Sequence, residues 1–337
     1  MNEEMPPKVD TVRLQNLSRA FIGSAALFAA IDLELFTAVA AGDNTVEKFA
    51  QRAGISEINA ERIMTMCSTS GLLLWQNDQF ENADDVSRFL VKGEKSYAAS
   101  WLTFTRPAWE KYGQLTQKLQ NPKPATVIGG YETMTVEYAR RYHDATASVG
   151  FGSGRRFIKH VNLSNRSKIM DLGGGSGAYS IVAAQAHPQL SAVVFDLPPV
   201  VEVTKEFIAR NNVASQVSTQ GGDFTLDEFP ENCDVAIMAS NLPQYNREII
   251  NQVIQKAFDA LLPGGEMHLI GEMLDDDRAG PLDAAIWGLY EVMSNSTGIA
   301  HSKGDCVSYF ERAGFADVAV HEFIPGILVR VTGIKPA

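Results

Sequence analysis

The sequence predicts an α/β protein in which a Rossmann-like doubly wound sheet, completed by a C-terminal antiparallel hairpin, follows an N-terminal helical domain of winged-helix type. The first observation is that short β-branched runs alternate with helical segments from Lys168 onward, which is typical of parallel βαβ units. The second is that the first 95 residues give the order helix, turn, helix, hairpin. The third is that the last two strand patterns are joined too closely for a crossover helix.

Composition excludes several classes of protein. The chain has 337 residues, of which 45% are hydrophobic and 20% charged, enough for two domains with proper cores. Its net charge is -11 and no block of Lys or Arg is present, so neither nucleic acid nor an anionic membrane is an expected partner. Three widely separated cysteines and an opening MNEEMPPKVD without a leader pattern favour a reducing, cytoplasmic location.

We divide the chain at two points, where its pattern changes. Residues 1–95 form the predicted winged-helix-like domain, residues 96–165 a helical connector, and residues 166–337 the domain with the sheet. Residues 9–41 have a helical period with more apolar positions than one face needs, which predicts that a second copy covers them and that the protein is a homodimer. The helix over 57–70 has Arg62 as its one basic residue, which argues against DNA binding.

Seven strand patterns define the predicted sheet. They cover residues 169–172, 192–196, 217–221, 235–239, 267–271, 318–323 and 327–332. The first five are separated by helical segments and should run parallel, with right-handed crossovers. The last two are joined by Ile324-Pro325-Gly326 and should pair antiparallel.

The strongest local motif is Asp-Leu-Gly-Gly-Gly-Ser-Gly at 171–177, a strand end followed by glycines and a helix. Glycines there let a ligand approach the backbone, and the helix that follows presents free N–H groups. The pattern also satisfies a dinucleotide fingerprint, with Asp196 at the spacing that holds a ribose. Asp223 and Phe224 follow the third strand and suit an adenine edge and face. The expected ligand has one adenosine, an amino-acid tail and no pyrophosphate. S-adenosylmethionine fits this description.

These motifs carry a resemblance to a known family. DLGGGSG, FDLP at 195–198, GGDF at 221–224 and KAFDALLPGGEMHLIGEM at 256–273 resemble class I S-adenosylmethionine-dependent methyltransferases. The helical front half is similar to the dimeric small-molecule O-methyltransferases of plants and bacteria, which implies a winged-helix dimerisation domain and a catalytic domain that binds the cofactor. The expected cofactor-binding residues are Asp171, Gly173, Gly175, Gly177, Asp196, Leu197, Asp223, Phe224 and Tyr142.

The chain departs from this family at one position. In the oxygen-methylating members the segment after the fourth strand carries a histidine that acts as the general base, and Gln244 stands in its place here. Glutamine does not titrate near neutrality and cannot take a proton from a hydroxyl. A thioether attacks through a sulfur lone pair and loses no proton, so we expect S-methylation of a small thioether carboxylic acid. The resemblance then extends to the bacterial methylthiohydroxybutyrate S-methyltransferases of dimethylsulfoniopropionate biosynthesis.

Other side chains complete the candidate site. The catalytic candidates are Gln244, Tyr142, His143 and His301, since either histidine could restore a base. Two guanidiniums beside Tyr142 could grip a carboxylate, and an aromatic and Met stripe after residue 282 could line the substrate pocket. The substrate-binding candidates are therefore Arg140, Arg141, Trp287, Tyr290 and Met293. No His, Cys or acidic spacing predicts a metal site.

Three other functions stay open at this point. The chain could be a C- or O-methyltransferase of a pigment or aromatic natural product, in which an acidic substrate hydroxyl or another base compensates for Gln244. It could be a member that keeps the cofactor without transferring its methyl group. It could also be a winged-helix regulator that senses the cofactor.

Overall fold

The computed structural model describes residues 9–337, which divide into two compact units, one ending at Phe104 and the other beginning at Thr105. Residues 1–8, which hold most of the segment without a leader pattern, lie outside the described residues. Residues 105–165, most of the predicted connector, belong to the same compact unit as the sheet.

The first unit is helical with one hairpin. Its elements are α1 Val12–Asp32, α2 Leu35–Ala40, α3 Val46–Ala53, α4 Glu57–Thr69, β1 Leu73–Gln76, β2 Gln79–Asn82, α5 Asp84–Phe89 and α6 Ala99–Leu102. The apolar pattern over 9–41 forms two helices because Glu34 adopts a left-handed conformation, with φ of 54°. Thr45 and Ser56 accept backbone N–H groups as N-caps of α3 and α4, which fixes where both helices begin. The predicted order of helix, turn, helix and hairpin is therefore present.

Helix α1 leaves a row of large apolar side chains exposed. Leu17 is 68% and Phe21 60% exposed, and Val12, Leu14 and Ile22 are exposed as well. The core of the unit is built instead on side chains such as Phe36, Phe49 and Met64, which are almost fully buried. An apolar row of this length normally marks an interaction surface, which agrees with the predicted covering by a second copy.

The second unit contains the large sheet. Its helices are α7 Trp109–Gly113, α8 Leu115–Leu119, α9 Val136–His160, α10 Ala178–Ala186, α11 Pro198–Arg210, α12 Arg247–Ala260, α13 Leu282–Tyr290 and α14 Lys303–Ala313. Its strands are β3 Lys168–Leu172, β4 Ser191–Asp196, β5 Val217–Gly221, β6 Cys233–Ala239, β7 Leu261–Gly271, β8 Ala316–Ile324 and β9 Leu328–Ile334. Each predicted strand is found, and β7 begins earlier than its prediction.

The sheet has the order β5-β4-β3-β6-β7-β9-β8. Strands β3 to β7 pair in parallel, whereas β9 pairs antiparallel with both β7 and β8, which confirms the predicted fold. Two large buried clusters pack helices against the sheet. From β3 the chain first adds β4 and β5 on one side of that strand and then β6 and β7 on the other side. The loops after β3 and β6 therefore lead in opposite directions and leave a crevice at the carboxyl ends of the strands.

Within residues 9–337, no helix combines the length and the apolar character that crossing a membrane would require.

Candidate active site

A cavity of about 540 Å³, measured with the space at its mouth, lies at the carboxyl edge of the sheet. Its walls come from the loops after β3, β4, β5 and β6 and from the region around the start of α9. The lining residues are Tyr131, Met134, Tyr142, His143, Gly173, Asp196, Leu197, Val200, Gly222, Asp223, Phe224, Asn241, Gln244 and Tyr245.

The glycine loop after β3 forms the floor of the cavity. Gly173 has φ of 63°, and a Cβ atom there would lie 2.4 Å from Asn241 Nδ2. The same amide donates to the carbonyl oxygens of Leu172 and Gly173 at 3.1 Å each, which ties the loops after β3 and β6 together. This position therefore requires glycine for both its backbone conformation and the close approach of Asn241.

Asp196 ends β4 with both carboxylate oxygens bound to the backbone. Oδ2 accepts the Gly175 N–H at 2.8 Å and Oδ1 accepts the Leu197 N–H at 2.7 Å. Burial raises the pKa of Asp196 to about 6, although these two bonds act in the opposite direction. Each oxygen keeps a further lone pair, so the ionised carboxylate can accept two more hydrogen bonds from a ligand that enters the cavity.

The loop after β5 supplies one polar and one aromatic wall. Asp223 Oδ1 accepts from the Thr225 backbone N–H at 2.8 Å and from its hydroxyl at 2.7 Å, which holds the turn. The Phe224 ring is almost buried, and its centroid lies 4.9 Å from that of Tyr245. The loop thus places a carboxylate and an aromatic face beside each other, an arrangement that suits the edge and face of a purine.

Three of the predicted cofactor-binding residues do not line the cavity. Asp171 is 1% exposed and accepts the Ser180 hydroxyl at 2.7 Å, so its carboxylate lies under the glycine loop. Gly177 packs against Val194, and Gly175 lies under the ring of His143. These residues shape the loop, whereas Gly173, Asp196, Leu197, Asp223 and Phe224 reach the cavity together with Tyr142.

Three tyrosines line the cavity, together with His143 and Gln244. Tyr131 and Tyr142 share a hydrogen bond, and burial raises the pKa values of both of these hydroxyls and of Tyr245. The tyrosines therefore stay protonated near neutrality and act as hydrogen-bond donors. Burial lowers the pKa of His143 to about 4, so its imidazole is neutral there as well.

The backbone position of Gln244 is fixed by a short turn and by the loop that packs on it. It ends the 3-10 turn Leu242–Gln244, and a Cβ atom at Gly298 would lie only 2.7 Å from the Gln244 carbonyl carbon. The glycine at 298 therefore allows the loop after α13 to pack directly on this turn.

His301 is not available as a catalytic base, which corrects the sequence-based expectation. Its side chain is fully buried, and it does not line the cavity. Nε2 contacts the Tyr245 carbonyl oxygen at 2.9 Å, so it must carry the proton, and Nδ1 accepts the Tyr309 hydroxyl at 2.9 Å. Both ring nitrogens are thus satisfied by the protein, and burial lowers the pKa of His301.

The arginine pair also differs from its expectation. Arg140 forms a two-point ion pair with Glu206 on α11, with Nη2 at 2.6 Å and Nε at 3.3 Å from the carboxylate oxygens. Arg141 is exposed, and neither residue lines the cavity. The predicted grip on a substrate carboxylate is replaced by an interhelical contact.

The predicted stripe on α13 and the 3-10 turn Glu291–Met293 that follows it lies outside the cavity lining as well. The rings of Trp287 and Tyr290 pack together with centroids 5.7 Å apart, and Met293 is buried. Sequence reasoning missed Tyr131, Asn241 and Tyr245. The last two could have been found from their position beside Gln244 after β6, but nothing around Tyr131 in the sequence indicates its role.

The residues present fit S-adenosylmethionine. Gly173 leaves the floor of the cavity open where a Cβ atom would crowd Asn241, Asp196 offers two acceptor positions for ribose hydroxyls, and Phe224 offers an aromatic face. In the described range 9–337, no group of three or more His, Cys, Asp or Glu side chains is arranged to hold a metal ion.

Comparisons with known proteins match both parts of the chain. The family model of the O-methyltransferase domain matches residues 126–316, and that of the O-methyltransferase dimerisation domain matches residues 15–93. A 3-hydroxy-5-methyl-1-naphthoate 3-O-methyltransferase of Streptomyces sahachiroi is 29% identical over 331 residues, covering 96% of this chain and 94% of that protein. The tetracenomycin polyketide synthesis 8-O-methyl transferase TcmO of Streptomyces glaucescens is 29% identical, with 90% of each chain covered.

A solved structure shows the same fold. Human N-acetylserotonin methyltransferase in complex with SAM superposes with a TM-score of 0.80 at 23% identity, over 99% of this chain and 100% of that one. Fold and site together define a class I S-adenosylmethionine-dependent methyltransferase. The chain belongs to the O-methyltransferase family, and its matched dimerisation domain supports the predicted homodimer. The expected cofactor and the expected enzyme class are confirmed.

Proposed function

We propose that the protein methylates a small aromatic hydroxy compound, at the phenolic oxygen or at the ring carbon beside it. The two Streptomyces relatives are named for O-methylation of a hydroxynaphthoate and of a tetracenomycin polyketide. Sulfur methylation, which the missing histidine led us to expect, has no support in these names. The alternative of an aromatic acceptor therefore becomes the better explanation of the same residues.

One observation carries the proposal, namely the set of hydrogen-bond donors in the cavity. Tyr131, Tyr142 and Tyr245 keep protonated hydroxyls, one of which is used in the hydrogen bond between Tyr131 and Tyr142, and Gln244 presents an amide that both donates and accepts. The same tyrosines provide flat apolar surfaces on which an aromatic ring can pack. A cavity of this kind suits an acceptor that is aromatic and carries negative charge on an oxygen.

This arrangement removes the need for a histidine at position 244. A phenol made acidic by its own ring substituents ionises near neutrality, and preorganised donors such as Tyr and Gln side chains favour the phenolate form. The protein then has to orient the phenolate rather than deprotonate it, and alignment of the reacting atoms is itself a large contribution to the rate. Bound S-adenosylmethionine supplies an electrophilic methyl group, and Asp196, Gly173 and Phe224 would hold it beside the acceptor.

The test is a rate–pH profile for acceptors of different acidity. Purified protein is given labelled cofactor and a series of naphthols and phenols whose hydroxyl pKa values extend from about 6 to 10. We expect the apparent pKa of kcat/KM to follow the pKa of each acceptor, because the ionising group belongs to the substrate. The position of the new methyl group, read by NMR, distinguishes oxygen from carbon transfer.

Two results would contradict the proposal. An apparent pKa that is the same for all acceptors would indicate a base on the protein. Transfer to methylthio carboxylic acids, with none to any phenol, would restore the sulfur hypothesis.

Gln244→Ala tests the oxyanion role directly. We expect kcat/KM for a phenolic acceptor to fall about 10- to 100-fold, since a hydrogen bond to a charged group contributes about 1.5–3 kcal/mol. The affinity for S-adenosylhomocysteine, measured by calorimetry, should change little. Gln252→Ala, on the exposed side of α12, is the matched control. An unchanged kcat/KM in Gln244→Ala would show that the amide does not contact the acceptor.

A further inference from the structure

The ring of His143 lies on the glycine loop. A Cβ atom on Gly175 would be 2.5 Å from His143 Cε1 and 3.0 Å from Nδ1, so imidazole and loop backbone are in direct contact. His143 also lines the cavity, and in the described part of the chain neither of its ring nitrogens has a protein hydrogen-bond partner. The ring contacts the loop and faces the cavity, so it would contact the part of a bound ligand that lies along the glycine loop.

The strand order indicates which part of S-adenosylmethionine would lie along the glycine loop. Along the sheet edge the loops follow the order β5, β4, β3, β6, which places Asp223 first, then Asp196, then the glycine loop. Neighbouring strands are about 4.8 Å apart, so successive loops meet successive parts of an extended ligand. Adenine at Asp223 and ribose at Asp196 leave the amino-acid tail at the glycine loop.

The tail brings a carboxylate into a cavity that already holds acidic groups. Asp196 and Asp223 are the charged residues among those that line it in the described chain, and neither Lys nor Arg is in that set. The Asn241 amide already donates to two backbone carbonyls. The imidazole N–H of His143 is therefore a donor available at the place where the tail carboxylate would lie.

We propose that His143 is a positioning residue that donates a ring N–H to the α-carboxylate of S-adenosylmethionine and so sets the reach of the sulfonium toward the acceptor. A neutral imidazole suits this role because it loses less on leaving water than a charged side chain would. The low pKa of His143, about 4, agrees with a neutral donor and makes it a weak base at pH 7.

The test compares two ligands that differ in the tail alone. S-adenosylhomocysteine carries the amino-acid tail, whereas 5′-methylthioadenosine ends in a methyl group on the same sulfur. In His143→Ala we expect the affinity for S-adenosylhomocysteine to fall about tenfold, as for loss of one charge-assisted hydrogen bond, with the affinity for 5′-methylthioadenosine unchanged. His143→Gln keeps a side-chain N–H donor and should recover part of the loss.

Controls and contrary outcomes separate this role from others. Glu137→Ala, in the exposed first turn of α9, should leave both affinities unchanged. Equal weakening of both ligands in His143→Ala would mean that the ring supports the loop without contacting the tail. Unchanged binding of S-adenosylhomocysteine together with loss of kcat would make His143 a base, and would overturn the proposal. Because the titrations contain no acceptor, their outcome is independent of the proposed aromatic substrate.

Discussion

Gly173→Ala is expected to weaken the binding of S-adenosylhomocysteine by about 100-fold or more while the protein stays folded. Two effects act at this position, the first on the stability of the loop and the second on the cavity walls. A non-glycine residue at φ of 63° costs about 1–3 kcal/mol, and the new Cβ atom would lie 2.4 Å from Asn241 Nδ2 and 3.0 Å from Phe224 Cε1. Since each 1.4 kcal/mol is a factor of ten in affinity, displacement of both cavity walls accounts for a loss of this size.

The measurement is calorimetric titration, with thermal unfolding as a check on folding. Gly152→Ala is the matched control, because Gly152 is an exposed residue of α9 where an added Cβ meets nothing within 4 Å. That variant should bind normally and gain slightly in stability, since alanine favours a helix. Normal affinity in Gly173→Ala would show that the cofactor does not occupy the floor of the cavity.

Asp196→Asn is expected to weaken S-adenosylhomocysteine about 10- to 100-fold at pH 7.5. The ionised carboxylate already accepts the N–H groups of Gly175 and Leu197 and has two acceptor positions left for ribose hydroxyls. An asparagine keeps one acceptor oxygen. Its amide N–H group would face one of the two backbone N–H donors, which it cannot bind. Loss of hydrogen bonds to a charged group corresponds to about 1.5–3 kcal/mol.

The same residue predicts a pH dependence with a definite sign. Burial raises the pKa of Asp196 to about 6 in the free protein, and the ribose hydroxyls favour the ionised form. Binding should therefore weaken as the pH falls below about 6, by up to about tenfold per pH unit, because a proton must leave before the ligand binds. Titrations from pH 5 to 8 should show this dependence in the native protein and not in Asp196→Asn.

A surface variant controls for a general charge effect. Asp317→Asn removes one negative charge from an exposed position of β8 and should leave both the affinity and its pH dependence as in the native protein. If Asp196→Asn kept the native pH dependence, the titrating group would be a different one and the ribose assignment would have to be given up.

The cofactor half of the site was predictable because its signals are local. The glycine loop, Asp196 and Asp223 each lie at or within two residues of the end of a strand, and carboxyl ends of parallel strands meet at one edge of a sheet. Once the strands were recognised, the position of Gly173, Asp196 and Asp223 at one cavity followed. Asp171 is the exception, since its side chain points under the loop to Ser180 rather than into the cavity.

The acceptor half was much less predictable, because it depends on partners distant in the sequence. Arg140 forms its ion pair with Glu206 on another helix, and His301 is enclosed by Tyr309 and the Tyr245 carbonyl. No spacing near 140 or 301 indicates such partners. Glutamine at position 244 was visible in the sequence, but the presence of Tyr131 and Tyr245 in the same cavity, on which the proposed role of Gln244 depends, was not.

The amino-acid sequence by itself determined the strand and helix order, the binding motif for S-adenosylmethionine and the absence of a histidine at position 244. Hydrophobic periodicity and turn residues act over a few positions, so they can be recognised without any knowledge of the fold. Only the tertiary structure decided which side chains face the cavity and which are buried or paired elsewhere. The physical reason is that burial and hydrogen bonding depend on the packing of elements far apart in the chain, and these contacts set the protonation of Tyr142, His143 and Asp196.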